Sequence, residues 1–92
     1  MIRSFGDKAT EALFNGRRTS FPPEVRRIGR RKLDMINAAA KLQDLRSPPG
    51  NRLEPLKGKL DGFHSIRVND QWRVVLRWEN SDALEVKIVD YH

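Results

Sequence analysis

The chain has 92 residues and a formal net charge of +6, with 18 Lys and Arg against 12 Asp and Glu. This length suits a single domain, residues 1–92, and the absence of cysteine excludes disulfides and thiolate metal ligands. No apolar run is long enough to span a membrane and the polar opening is unlike a signal peptide, so we expect a cytoplasmic protein without a membrane partner.

The first elements along the chain are a short strand and a short helix. MIRSF, residues 1–5, is typical of a brief extended segment. In DKATEALFNG, residues 7–16, apolar side chains recur at helical spacing, so we expect Asp7 to cap a helix and Gly16 to end it.

A long amphipathic helix follows the basic turn RRTSFPP. Pro22 and Pro23 suit its first turn, and the helical period continues to about Leu45. Lys32 falls on the apolar side, where it would have to extend its ammonium group towards solvent. The exposed face carries four arginines, namely Arg26, Arg27, Arg30 and Arg31.

After the helix-breaking RSPPGNR and a loop, the pattern changes to the two-residue period of strands. FHSIRV, QWRVVLRW and ALEVKIV are separated by short turns, which predicts an antiparallel meander. The apolar face of this sheet would carry Ile66, Val68, Trp72, Val74, Leu76, Trp78, Leu84, Val86 and Ile88. The predicted fold is therefore α+β, in the order β-α-α-β-β-β, with the sheet packed on two N-terminal helices.

The opposite face of the sheet is predicted to be a basic surface. It would collect Arg67, Arg73, Arg77 and Lys87. Such a surface can bind a phosphate backbone, and it can equally be an ordinary solvated face. The pattern favours neither interpretation, and the net charge by itself makes contact with nucleic acid plausible and no more.

Two further segments hold groups suited to acid–base chemistry. Glu54 and Lys57 lie in LEPLKGKLDG, and Asp90, Tyr91 and His92 form the last three positions. RNA supplies its own nucleophile, the 2′-OH, so proton-transfer groups beside cations suffice to cleave it without a metal or cofactor. From the residues alone, an ordinary surface ion pair and a solvated terminus are the favoured explanations.

The sequence resembles the HigB toxins of the RelE/ParE toxin–antitoxin superfamily over nearly its whole length. The motifs are L-x-PLKG, SIRVN-x-QWR and the terminal DYH. The resemblance implies a RelE-like microbial ribonuclease fold and cleavage of mRNA in the decoding site of the 70S ribosome. Products would be a 2′,3′-cyclic phosphate and a 5′-hydroxyl. A HigA-type helix-turn-helix antitoxin would neutralise the toxin, and operator DNA would be bound only through that antitoxin.

The resemblance also implies roles for individual residues. His92 would transfer a proton, Tyr91 would shape the substrate beside Asp90, and Lys57 and Arg73 would face the scissile phosphate. Glu54 stands where a relative has histidine, so whether Glu54 or His92 is the general base stays open. Contacts to RNA would come from Arg26, Arg27, Arg30, Arg31, Arg67, Arg77 and Lys87.

Two other functions remain compatible with the sequence. A toxin of the same fold could inhibit DNA gyrase, as ParE-type members do, and would need no acid–base residues. A plain basic nucleic-acid-binding module would need the arginines and not His92. Cleavage of mRNA after induction distinguishes the first from the nuclease, and comparing Arg73 with His92 variants distinguishes the second.

Overall fold

The computed structural model describes residues 1–91, which form two helices followed by a four-stranded antiparallel sheet. The helices are α1, Lys8–Phe14, and α2, Pro23–Ala38. The strands are β1, Glu54–Pro55; β2, Phe63–Arg67; β3, Trp72–Glu79; and β4, Asp82–Asp90. Three short 3-10 turns cover Leu42–Arg46, Pro49–Asn51 and Gly58–Leu60. Within residues 1–91, no helix combines the length and the apolar character needed to cross a bilayer.

Helix α1 has the boundaries that the sequence predicts. The Asp7 carboxylate accepts a hydrogen bond from the Thr10 amide at 2.8 Å, which satisfies one of the free donors of the first turn. Gly16 follows the last turn with φ +77°, a conformation that glycine adopts without steric cost.

Helix α2 begins at Pro23 as predicted, but it ends at Ala38, so the prediction that it continues to about Leu45 is wrong. The Asp44 carboxylate accepts from the amides of Ala40 and Lys41, at 2.9 and 3.1 Å, and so starts the separate turn Leu42–Arg46. Local hydrogen bonding by an aspartate therefore competes with continuation of the helix. The turn still buries Leu45 completely.

The sheet has the order β1-β2-β3-β4, and the predicted meander of β2, β3 and β4 is confirmed. Strand β1 lies inside the segment interpreted as a loop, and it pairs Glu54 with Ser65. Proline and glycine around it conceal so short a strand from pattern analysis.

The predicted first strand exists only as an extended segment beside β4. Ile2 and Phe5 form isolated parallel bridges to Ala83 and Val86, and no regular strand is assigned to residues 1–5. Glu85, with φ 53°, lies between these two bridges, at a β-bulge in the pairing of β4 with β3.

The same bulge changes which side chains of β4 face the core. The register to β3 shifts between Val75 and Arg77, so that Ala83 is fully buried along with Val86. Leu84 is only half-buried and is paired with Arg77 on the opposite face. The prediction that Leu84 shares the apolar face with Val86 and Ile88 is therefore wrong, because one inserted residue reverses the alternation.

The core lies between the helices and one face of the sheet. Helix α2 approaches β4 at Gly29, where an added Cβ would lie 3.0 Å from Ile88 Cδ1. The core cluster comprises Leu13, Val25, Leu33, Ile36, Leu45, Ile66, Val68, Val74, Leu76, Ala83, Val86 and Ile88. Neither α1 nor α2 packs on the other face of the sheet, and the candidate site lies there.

Candidate active site

The strand register places the predicted basic residues together on the face of the sheet that points away from the helices. Arg67 lies opposite Arg73 across β2 and β3, and Lys87 lies opposite Val75 across β3 and β4. We call this set, Arg67, Arg73, Arg77 and Lys87, the basic face.

Acidic residues neutralise part of the basic face. Arg67 is hydrogen-bonded to Asp70. Arg77 donates to Glu85 at 3.0 Å and to Glu79 at 3.3 Å. These pairs are partly exposed, so an incoming phosphate can replace the carboxylates at modest cost.

Arg73 is the most firmly held cation of the basic face. Its Nε donates to Ser65 Oγ at 2.8 Å, and its Nη2 donates to the Arg52 carbonyl at 2.7 Å. Its side chain is only 12% exposed. The guanidinium is therefore fixed in one orientation before any ligand arrives, which is the arrangement that electrostatic stabilisation of a developing charge requires.

Glu54 lies beside this fixed guanidinium. The Glu54 Oε1 to Arg73 Nη2 distance is 3.6 Å, and the glutamate side chain is 48% exposed. Strand β1 positions Glu54 opposite Ser65, and the left-handed conformation of Arg52, φ 47°, precedes the strand. A solvent-accessible carboxylate is thus available next to a preorganised cation.

Two supports of Arg73 were not identified from the sequence. Ser65 is fully buried within β2, and Arg52 contributes only its carbonyl oxygen. The strand pattern places Ser65 next to the basic face, so its register was the available signal. The contact to the Arg52 carbonyl could not be predicted, because a pattern of side chains does not indicate where a backbone carbonyl lies.

Tyr91 joins the same group of residues. The Arg73 guanidinium carbon lies 5.6 Å from the centre of the Tyr91 ring, within the range of a cation–π interaction. The Tyr91 amide donates to the Gln71 carbonyl at 2.6 Å, and the Gln71 side chain donates to Asp90 at 3.0 Å. Gln71 thus fixes the end of β4, a role that the sequence did not indicate. His92 lies outside the described residues.

Lys57 is exposed and starts the turn Gly58–Leu60. Its carbonyl accepts from the Leu60 amide at 3.4 Å, whereas its side chain forms no hydrogen bond or ion pair within the described part of the chain. The structure therefore brings together Glu54, Arg73 and Tyr91, and among the described residues it shows no hydrogen bond or ion pair from the Lys57 side chain to them.

The helix arginines belong to another surface, because α2 packs on the opposite face of the sheet. Arg26, Arg27 and Arg31 are exposed. Arg30 is half-buried, lies 6.0 Å over the Phe14 ring and donates to the Leu13 carbonyl at 3.3 Å. Packing against α1 therefore accounts for Arg30 without any ligand.

Lys32 lies on the half-buried side of α2, but its ammonium binds a buried side chain instead of extending towards solvent as predicted. It is half-buried, and its ammonium donates to the side-chain oxygen of Asn51. Burial lowers the pKa of Lys32 below its ordinary value, and the nearby charges of Arg31 and Arg67 lower it further.

An apolar groove continues the site along the sheet beyond Tyr91. Its volume is about 370 Å³. The groove is lined by Leu60, Phe63, Val75, Lys87, Val89 and Tyr91, with Gly6 and Glu85 at its rim. The sequence suggested only that Val75 shares a face with arginines, and it gave no sign that Val75 would be 3% exposed there.

Comparison with known proteins identifies the family. The family model described as "RelE-like toxin of type II toxin-antitoxin system HigB" matches residues 3–92. Toxin HigB-1 of Vibrio cholerae serotype O1 is 41% identical over 86 residues, which cover 91% of this chain and 90% of that protein. Endoribonuclease HigB of Proteus vulgaris is 37% identical over 94 residues, which cover 100% of both.

A solved structure supports the fold independently. The YoeB-YefM complex from Staphylococcus aureus contains a chain that matches with a TM-score of 0.59 at 20% identity, over 100% of this chain and 98% of that one. The predicted α+β, RelE-like fold is thereby confirmed. Together with the family match and the two relatives, it shows that this chain belongs to the HigB-like toxins, the RelE-like toxins of type II toxin–antitoxin systems.

Proposed function

We propose that this toxin is an endoribonuclease that cleaves mRNA in the decoding site of translating ribosomes. The relative from Proteus vulgaris is named as an endoribonuclease and matches along its full length. The observation that carries the proposal is the fixed guanidinium of Arg73, held by Ser65 and Arg52 with the Glu54 carboxylate 3.6 Å away.

In the proposed reaction, a base removes the proton of the 2′-OH, and the 2′-oxygen then attacks the adjacent phosphorus. The bond from phosphorus to the 5′-oxygen breaks, and an acid protonates that oxygen, which gives a 2′,3′-cyclic phosphate and a 5′-hydroxyl. Glu54 or His92 is the base. Arg73 and Lys57 stabilise the charge that develops on the phosphate oxygens.

The remaining groups of the site orient the substrate. Tyr91 lies against Arg73, and Asp90 is joined to Gln71, so the end of β4 is held beside the cation. Arg67, Arg77 and Lys87 extend the positive surface on which the mRNA strand lies.

Ribosomal RNA is the proposed partner of the second basic surface. Arg26, Arg27 and Arg31 are exposed on α2, on the far side of the sheet from Arg73. Arg30 contributes less, because it is engaged with α1. Binding the ribosome on one surface while the other holds mRNA would restrict cleavage to translated messages.

We propose a HigA-type helix-turn-helix antitoxin as the neutralising partner. Membership of a toxin–antitoxin family supports an antitoxin, and the structural relative from Staphylococcus aureus is itself a YoeB-YefM complex. Operator DNA would be bound only through this antitoxin.

The test is cleavage of a defined mRNA on purified 70S ribosomes, with mass spectrometry of the fragment ends. The wild type should give 2′,3′-cyclic phosphate ends on programmed ribosomes and leave free mRNA intact. Arg73→Met should reduce the rate by about 100-fold or more, the usual effect of losing a group that stabilises the transition-state charge. The matched variant Arg77→Met, on the same face but paired with two glutamates, should lose only a few-fold.

Two results would contradict the proposal. Intact mRNA together with DNA-damage signalling would indicate inhibition of gyrase. Equal losses in the Arg73 and Arg77 variants, with no effect of His92→Ala, would indicate a basic binding module without catalysis.

A further inference from the structure

The apolar groove beyond Tyr91 is an unusual feature of a basic surface. Among residues 1–91, the large apolar side chains exposed to solvent are Met1, Leu60 and Tyr91. Leu60 is 41% exposed and Tyr91 is 40% exposed, and both line this groove. Exposed apolar side chains that converge on one concavity mark a binding site more often than scattered ones do.

The groove is continuous with the proposed cleavage site. Tyr91 forms part of its wall and also lies 5.6 Å from the Arg73 guanidinium. Val75, at its floor, is next to Ser65 on β2, and Ser65 holds Arg73. A strand of RNA with one phosphate on Arg73 would therefore place a neighbouring nucleotide over the groove.

A cation is built into the wall of the groove. Lys87 lies opposite Val75, and no ion pair to Lys87 is formed within the described part of the chain. Its aliphatic stem is packed against Gly6, because a Cβ added there would lie 3.0 Å from Lys87 Cβ and 3.2 Å from Lys87 Cδ. The apolar stem thus forms part of the groove wall, and Lys87 is an exposed residue.

We propose that this groove binds one nucleobase of single-stranded RNA, that of a nucleotide adjacent to the phosphate held by Arg73. Leu60, Phe63 and Val75 would contact the face of the base, and Lys87 would contact the next phosphate. The inference rests on the proposed nuclease function and extends it to a substrate subsite.

Charge and size favour this occupant. The groove adjoins the basic face through Lys87, and the Glu85 carboxylate that also lines it is paired with Arg77. A ligand with alternating anionic and apolar parts therefore fits it best, and a nucleotide chain has this character. Its volume of about 370 Å³ falls within the range of small-ligand sites. Contacts to the face of a base are sequence-tolerant, so the groove should strengthen binding without choosing a codon.

The test measures binding of short RNA by fluorescence anisotropy, with a 2′-deoxy nucleotide at the cleavage position to prevent turnover. Two RNAs are compared, one complete and one abasic next to that position. Leu60→Ala should weaken binding of the complete RNA by about 5–10-fold, the lower range for loss of one base contact, and of the abasic RNA by less than about twofold. Leu60→Phe should bind the complete RNA at least as tightly as the wild type does.

Leu84→Ala is the matched control. Leu84 is a half-buried leucine on the same face of the sheet but outside the groove. This variant should bind both RNAs like the wild type, and urea unfolding should confirm that both alanine variants are folded.

Several outcomes would overturn the base subsite. They are an equal loss on both RNAs, no loss in Leu60→Ala, no RNA binding by the wild type, or a loss of antitoxin binding alone, which would assign the groove to a peptide. Ribosomal cleavage that is insensitive to Leu60→Ala would remove the subsite and leave the nuclease proposal standing. Base-dependent binding without any cleavage would support the subsite and contradict the nuclease proposal.

Discussion

Replacing Ser65 by alanine tests whether the fixed orientation of Arg73 makes the site effective. Ser65 Oγ accepts from Arg73 Nε at 2.8 Å inside the sheet, and the Arg52 carbonyl accepts from Nη2 at 2.7 Å. A hydrogen bond to a charged group contributes about 1.5–3 kcal/mol. This corresponds to a factor of roughly 10–150 in rate.

We expect the low end of this range, about tenfold, because the carbonyl contact survives and Glu54 lies 3.6 Å from the guanidinium. The assay is single-turnover cleavage of mRNA on programmed ribosomes, with Ser65→Ala, Arg73→Lys and the double variant compared. Lysine cannot make the same pair of contacts, so the effect of Ser65→Ala should nearly disappear in the Arg73→Lys background.

Additivity of the two substitutions would refute the reasoning. If Ser65→Ala still slows cleavage about tenfold when Arg73 is already lysine, the serine does not act through the arginine. Urea unfolding of each variant shows whether the loss follows global stability instead.

Three further predictions concern stability and are measured by urea unfolding. Asn51→Leu removes the donor to the buried Leu45 carbonyl, 3.0 Å away, and the acceptor of the Lys32 ammonium, so it should lower the free energy of unfolding by about 2–5 kcal/mol. Adding Lys32→Met should restore part of this stability, and no restoration would contradict the pairing of Lys32 with Asn51. Because the pKa of Lys32 is lowered in the folded state, the unfolded chain binds more protons at pH values between that pKa and 10.5. In this window the free energy of unfolding of the wild type should therefore rise with pH relative to that of Lys32→Met. A difference between the two that does not change with pH would contradict this prediction. Thr10→Val leaves the Ile88 amide, 2.9 Å from Thr10 Oγ1, without its acceptor and should cost about 1–3 kcal/mol, whereas Ala9→Val on the exposed side should cost less than about 1 kcal/mol.

Much of the fold follows from local signals in the sequence. Asp7 and Gly16 bracket α1 because capping and left-handed backbone are local requirements of particular residue types. The meander is visible because alternation and turn residues agree. Where several local signals favour the same element, tertiary packing agrees with them and the prediction is correct.

The errors arise where a distant or competing contact decides. Helix α2 ends at Ala38 because the Asp44 carboxylate accepts hydrogen bonds from the amides of Ala40 and Lys41. The alanines at this point favour a helix, so helix propensity does not predict its end. Ala83 takes the buried position predicted for Leu84 because of the bulge at Glu85. The bulge contains no glycine, so the sequence carries no signal for it.

The candidate site could be predicted in its residue types and less in its geometry. Alternation alone places the four basic side chains on one face, and the family resemblance singles out Glu54, Arg73 and Tyr91. That Ser65 and the Arg52 carbonyl hold Arg73 depends on strand register and on one left-handed residue, which only the folded chain specifies. The roles proposed for all of these site residues, including Lys57 and His92, remain predictions.

The extended residues 2–5 have a consequence for the order in which the protein folds. They pair with residues 83–86, and the Ser4 hydroxyl accepts from the Glu85 amide across a separation of 81 positions. Such contacts close a very long loop, so they form late and slow the folding of a small domain. Since the strand they support is the one that carries Tyr91 to Arg73, a nascent chain should form the candidate site only after β4 has been synthesised, and the contact between Tyr91 and Arg73 should belong to a late stage of folding.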